Sequence, residues 1–229
     1  QYSSGKTQEP NEPNEPDLSS NDDGTEINSS SGKTSSDDSS DDQKDDSPYR
    51  GTTIDGVDSD YILGDDVELR TYNIIIDPDS LDKINEVPQD EEYVMAHLVF
   101  EGDTIQDVQV RYKGSTGAWY PCTNDAKTGS PWPPGPNQCV KLSTKIKFNT
   151  DADPERKFYG LKKLQFHHMH HYDSQLRERV IYWMHRAMGN PAPRAVHARV
   201  EVNGVLSGLY ALVEQIDGRF TRARWDDGE

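Results

Sequence analysis

The sequence predicts an α+β domain, a mainly antiparallel sheet with one principal helix packed on it, reached through a disordered acidic tail. Three observations lead there. Alternating apolar and polar runs recur between residues 69 and 213, and two pairs of them are joined by short turn signals. A single long window, from about Ser174 to Met188, carries a helical pattern. The acidity is lopsided: residues 1–50 hold thirteen acids against four basic residues. That accounts for −9 of the −17 formal charge, leaving −8 for the other 179 residues.

Hydrophobic residues make up 32% of the 229, low for one compact globule, and the shortage is concentrated at the front. Residues 1–65, with Asn-Glu-Pro repeats and Ser/Asp runs, cannot bury enough apolar surface to offset ordering entropy and read as a disordered linker. Order is expected to begin near Val67, with residues 66–229 forming the domain. The acidic run from Asp37 to Asp46 reads as a solvated spacer. There is no apolar stretch of about 20 residues to span a membrane. Gln1 is not a start methionine, and a polar spacer of this kind typically follows an export signal. An extracellular or cell-surface location, with the linker as tether, is therefore expected. Cys122 and Cys139 lack the second pair a zinc site needs, so in an exported protein they read as a disulfide closing a Pro/Gly/Trp-rich insert.

Leu69–Ile76 reads as a strand stopped by Asp77-Pro78-Asp79, and Leu81, Ile84 and Val87 suggest a turn or two of helix before Pro88. Tyr93–Phe100 and Thr104–Tyr112 form a hairpin across Glu101-Gly102-Asp103. Ser143–Asn149 alternates, with Thr144, Ile146 and Phe148 on one face and Ser143, Lys145 and Lys147 on the other; Lys163–Phe166 is a further strand. Asp173 is placed to cap the helix, Leu176, Val180, Trp183 and Ala187 form its expected core stripe, and Gly189 and Pro191 end it. Val196–Val202 and Val205–Val213 make a second hairpin over Asn203-Gly204. Phe220 opens another element close to Glu229, so the chain reads as the front part of a longer protein.

Two groups of residues suggest chemistry. At the end of the first hairpin, Lys113-Gly114-Ser115-Thr116 combines a glycine that allows close backbone approach with donors suited to phosphate oxygens; the bland reading is a simple turn. Lys141, Lys145 and Lys147 share one parity, either as a solvated face, the preferred reading for Lys147, or as a positive patch together with Lys113. The cluster His167-His168-Met169-His170-His171, with His185 and His197, raises a metal site, but adjacent histidines in extended chain point to opposite sides, so a polar loop is the default. The net charge opposes nucleic-acid binding. No Walker loop, Gly-x-Ser-x-Gly elbow, His-Glu-x-x-His, His-Arg-Asp or Asp-Phe-Gly signature is present.

Taken together, a set of loose motifs in one order resembles the CotH family of spore-coat-type atypical protein kinases. They are Lys113-Gly114-Ser115; Lys141, Ser143, Ile146 and Phe148; Gly160–Leu164; Asp173, Leu176 and Arg177; and Asn203-Gly204, Gly208, Tyr210, Leu212, Glu214 and Asp217. The resemblance spans about 120 residues and leaves out residues 1–65. It implies the N-terminal lobe of a secreted or surface kinase that binds ATP with magnesium and phosphorylates Ser/Thr of an exported protein. By that analogy Lys113, Gly114 and Ser115 lie near the phosphates, and either Lys141 or Lys145, on the strand that holds Ser143, supplies a second contact. Arg177 and Glu178 position that lysine, and Glu214 leaves its strand at the adenine-side hinge. The family's catalytic and metal-binding aspartates fall after Glu229 by this analogy, so the 229 residues alone are expected to be inert, with no catalytic or metal residue to assign. The competing reading is a non-catalytic surface module for a protein or carbohydrate partner, with Trp119, Tyr120 and Trp132 as stacking aromatics.

Overall fold

The computed structural model describes residues 57–114, 116–119, 122–123, 135–169 and 173–227. Its centre is a seven-stranded sheet closed into a barrel. The strands are β1 (Arg70–Ile76), β2 (Val94–Phe100), β3 (Asp103–Tyr112), β4 (Thr144–Lys147), β5 (Lys163–His167), β6 (Ala195–Val202) and β7 (Val205–Val213). They run round the barrel as β1-β2-β3-β4-β5-β7-β6. Every pairing is antiparallel except β1 with β6, which closes the ring in parallel. The fold is α+β with a mostly antiparallel sheet, as the alternation predicts. Closure by a parallel pair is a long-range property that no local pattern encodes.

Alternation decides what lies inside. Tyr72, Ile74, Leu98, Phe100, Val108, Val110, Ile146, Leu164, Phe166, Val200, Tyr210 and Leu212 point inward and are buried. Phe148 and Phe158, stacked at 4.9 Å between ring centroids, close one end. Asn203 has φ 50° in the β6–β7 turn, and its side chain bonds both the amide and the carbonyl of Ile76. The turn residue therefore also fastens the hairpin to β1.

Short helices decorate the barrel. In α2 (Pro78–Glu86), Asp77 accepts from the Ser80 amide at 3.1 Å, and Ile84 is buried. Helix α1 (Val57–Leu63) places Ile62 and Leu63 in the core, so the folded body begins ahead of the Val67 start read from the sequence. Two apolar residues suffice to anchor so short a helix, too few for a periodic signal. Helix α3 (Thr116–Trp119) leads into the insert. Cys122 and Cys139 are joined as a disulfide. Trp119 is buried against Cys122 and Leu142, so it is not free to stack on a sugar; Tyr120 and Trp132 lie outside the described residues. Phe220 is buried in α5 (Gly218–Arg222), where Asp217 accepts from the amides of Arg219 and Phe220.

The principal helix, α4 (Arg177–Ala187), corrects two expectations. It starts after Leu176 with no side-chain cap. Gln175 adopts φ 51°, which no helix interior tolerates, and its carbonyl accepts from His197 Nε2 at 2.8 Å. Asp173 is therefore too far upstream to cap it. The expected core stripe is exposed: Leu176, Val180 and Trp183 are 50%, 44% and 54% accessible, and Ala187 is also open. The face turned to the body carries Glu178, Arg179, Tyr182 and Arg186. Arg186 reaches Pro193 O and Asp65 Oδ1, and Arg179 reaches Asp65 O. Polar tethers, with Tyr182 against Met169, Ala195, Ala211 and Val213, hold the helix. The period was legible; which stripe faced inward was not.

Candidate functional site

On the outer barrel surface the register aligns one row across four strands: Arg111 beside Lys145, Lys145 beside Gln165, and Gln165 beside Val213. Their sequence neighbours Val110, Ile146, Leu164 and Leu212 point into the core, so strand parity alone turns this row outward. Where the row meets α4 a cleft of about 340 Å³ opens. It is lined by Lys113, Lys145, Gln165, His167, Tyr182 and Pro193 and by the chain from Val213 to Ile216.

Positive charge collects here although the chain is strongly acidic. Burial pushes the Lys113 ammonium down to about 8, helped by the charge of Lys145 and opposed by Glu178 and Glu91. Lys145 is lowered as well, first by burial and then by Arg111 and Lys163. Both ammonium groups thus sit where burial and neighbouring positive charge disfavour their charged form, an arrangement that an anion would relieve. Glu91 offsets only part of that cost. It pairs with Arg111 and accepts from the Gly114 amide at 2.9 Å.

The Lys113 ammonium lies 2.8 Å from His167 Nε2, and His167 Nδ1 lies 2.6 Å from Glu178 Oε2. Helix α4 thus reaches the lysine through an imidazole and not by a direct ion pair.

The sequence-derived residues divide. Lys113, Lys145 and Glu178 are brought together. Lys141 is not: its stem packs 3.3 Å from where a Cβ would stand on Gly208, and its ammonium lies 4.9 Å from the Tyr210 ring, toward the start of β7, whereas the cleft lies at its end. Ser143 is buried, its hydroxyl accepting from the His168 amide and its carbonyl from the Lys113 amide. It ties the ends of β3 and β5 together. At Gly114 a Cβ would come within 2.3 Å of the Ala118 Cβ, so packing of α3 already demands glycine there. Arg177 is exposed at the start of α4. Ser115 lies outside the described residues.

Glu214 is 3% exposed. Its Oε1 accepts from Arg194 and Arg219, and its Oε2 from Arg224 and the Arg194 amide. Burial works to raise this carboxyl, but the bonds and charge of Arg194, with Arg224, outweigh it and hold the group below its ordinary value. The side chain is an internal anchor for three arginines. Arg194 also pairs with Asp60 and bonds Ser59, and so fastens α1.

His167, Gln165 and Tyr182 were missed by sequence reasoning. Lys163, Gln165 and His167 share one parity on β5, a signal hidden because His167 was read as the first residue of a histidine loop. His168 turns inward, its Nε2 3.2 Å from Ala118 O. His170 and His171 lie outside the described residues. Among the described residues no three His, Cys, Asp or Glu converge as a metal site, and no helix is long and apolar enough to cross a membrane.

Comparison with known proteins adds one finding. The family described as CotH kinase protein matches residues 110–229, just over half of the chain and the whole of the cleft lining. No curated protein matches the chain. A cationic cleft between sheet and helix, lying entirely within that matched span, goes with one assignment: the chain belongs to the CotH kinase family.

Proposed function

We propose that the folded body from α1 onward is the nucleotide-binding lobe of a CotH-like Ser/Thr protein kinase that works outside the cell or at its surface on an exported protein. The observation that carries this reading is the meeting of Lys113 and Lys145 in one cleft, with Glu178 of α4 reaching Lys113 through His167. The residues present fit the phosphates of ATP. Two half-buried ammonium groups, each disfavoured by burial and by neighbouring positive charge, offer charge-assisted hydrogen bonds to an anion. When bound, ATP supplies the phosphoryl group, and the lysines bind and orient its phosphate oxygens. Glu178 holds the ammonium from the helix. The main chain at Gln215 and Ile216 borders the same cleft and is the natural place for the base. Magnesium finds no converging acids among the described residues, so no step is routed through it and the transfer step is assigned to no residue here.

Of the two candidates for the second contact, geometry favours Lys145 over Lys141. Calorimetric titration with ATP and magnesium tests this. Lys145→Met is expected to weaken binding by about tenfold or more, the cost of one charge-assisted contact, and Lys141→Met by less than about twofold. Equal losses in the two variants, or no saturable binding by the unaltered protein, overturns the proposal.

A further inference from the structure

We propose that His167 is a positioning residue: a neutral imidazole with its proton on Nδ1 that transmits the hold of Glu178 to the Lys113 ammonium. This deepens the nucleotide reading of the cleft and rests on it. Donors and acceptors fix the assignment. An ammonium has three donors and no acceptor, and an ionised carboxylate has acceptors only. His167 stands between them at 2.8 Å and 2.6 Å. Only the tautomer that donates from Nδ1 to Glu178 and accepts at Nε2 from Lys113 makes both bonds. The opposite tautomer sets a lone pair against the carboxylate and an N–H against the ammonium. A doubly protonated ring facing a charged Lys113 sets N–H against N–H across 2.8 Å.

The surroundings agree. Lys113 from the end of β3 and Glu178 from α4 bond the ring, and Lys145 from β4, Gln165 from its own strand, Tyr182 from α4 and Glu214 after β7 line the same cleft. Glu178 is the acid bonded to the ring and gives Nδ1–H its acceptor, whereas Glu214, which also borders the cleft, is taken by Arg194, Arg219 and Arg224, and Glu91 by Arg111 and the Gly114 amide. The backbone that carries the ring is fixed as well. His167 pairs with Ala211 of β7 at the end of β5, beside the apolar patch of Met169, Ala195, Ala211 and Val213 on which Tyr182 packs. Any shift of α4 relative to the barrel moves Glu178 and, through the imidazole, the ammonium. This ties the position of the lysine to the seating of the helix.

The test pairs three substitutions with a spectroscopic readout, in the full chain. Nitrogen NMR of the histidine side chains at neutral pH is expected to show His167 as the Nδ1–H tautomer. His167→Ala is expected to weaken ATP binding, measured with magnesium present, by about tenfold. In His167→Gln the amide can still donate to Glu178 and accept from Lys113, and binding is expected to stay within about twofold of the unaltered protein. A ring that merely fills space predicts that same order, so His167→Leu, which fills the site without donor or acceptor, is the control: it is expected to lose as much as His167→Ala, and affinity near that of the unaltered protein overturns the proposal. An Nε2–H tautomer or an imidazolium at neutral pH, wild-type affinity in His167→Ala, or equal losses in His167→Ala and His167→Gln overturns the proposal. If the unaltered protein binds no ATP, the nucleotide reading fails. The tautomer, and its loss of definition on Lys113→Met, still decides whether the link exists.

Discussion

Lys113→Met is expected to abolish measurable ATP binding, a loss of roughly 30-fold or more, and to raise the melting temperature. The two effects share one cause. The ammonium of Lys113 is held down to about 8 by burial and by Lys145, so the folded protein disfavours the charge that the ligand requires. Removing the charge leaves a side chain of similar shape with no ammonium to desolvate. The full pKa displacement overstates the gain, because the group remains partly open to solvent and its bond to His167 is lost with it. A stabilisation of about 1 kcal/mol is a fair discounted figure, or a rise of roughly 2–4 °C for a domain of this size.

The pH dependence has a definite sign. With the folded value near 8 and the ordinary lysine value near 10.5, the unfolded chain holds the proton more tightly. Stability therefore rises with pH across that interval, and the penalty is fully present below about 8. ATP affinity moves the other way, falling above about pH 8 as the ammonium is lost. Thermal scans and ATP titrations of both proteins at pH 7 and pH 9 check each part. A Lys113→Met protein that melts well below wild type makes the lysine structural, and one that binds ATP normally removes it from the site.

Glu214→Ala is expected to produce the largest loss of stability of any single change at the cleft, about 3–5 kcal/mol, as is usual when one partner of a buried ionic cluster is removed. Three arginines, 194, 219 and 224, converge on this carboxylate. Without it they repel one another beneath α1 and α5. The melting temperature is expected to fall by roughly 10 °C. Because the folded carboxyl is held below its ordinary value, its stabilising contribution is complete above about pH 4.3 and is lost as pH falls through the folded value. Glu214→Gln keeps the shape and is expected to show most of the same loss, which separates charge from volume. A melting point within about 2 °C of wild type for both variants refutes the anchor role.

Some parts of the site were readable because they depend on strand parity. The alternation Lys145-Ile146-Lys147 puts lysine outward and isoleucine into the core wherever β4 lies in the barrel, and the hairpin before it ends on Lys113. Other parts depended on distance. Lys141 and Lys145 share a parity, yet β4 begins only at Thr144, and the preceding chain carries Lys141 off to Gly208. Glu214 sits where a hinge acid was expected, but its arginine partners come from two segments, Arg194 ahead of β6 and Arg219 and Arg224 in and just after α5. His167 was concealed by its neighbours, since a run of histidines gives no hint of which one faces a lysine.

The sequence by itself determined the α+β class, the strands, both hairpins, the paired cysteines and the family to which the chain belongs. All of these follow from local alternation, turn chemistry and motif order. Tertiary structure alone decided the closure of β1 on β6, the inward stripe of α4, which of Lys141 and Lys145 shares a cleft with Lys113, and the imidazole standing between Lys113 and Glu178. These are contacts between residues far apart in the chain. Local pattern states which face a residue can occupy, and packing decides what it meets there.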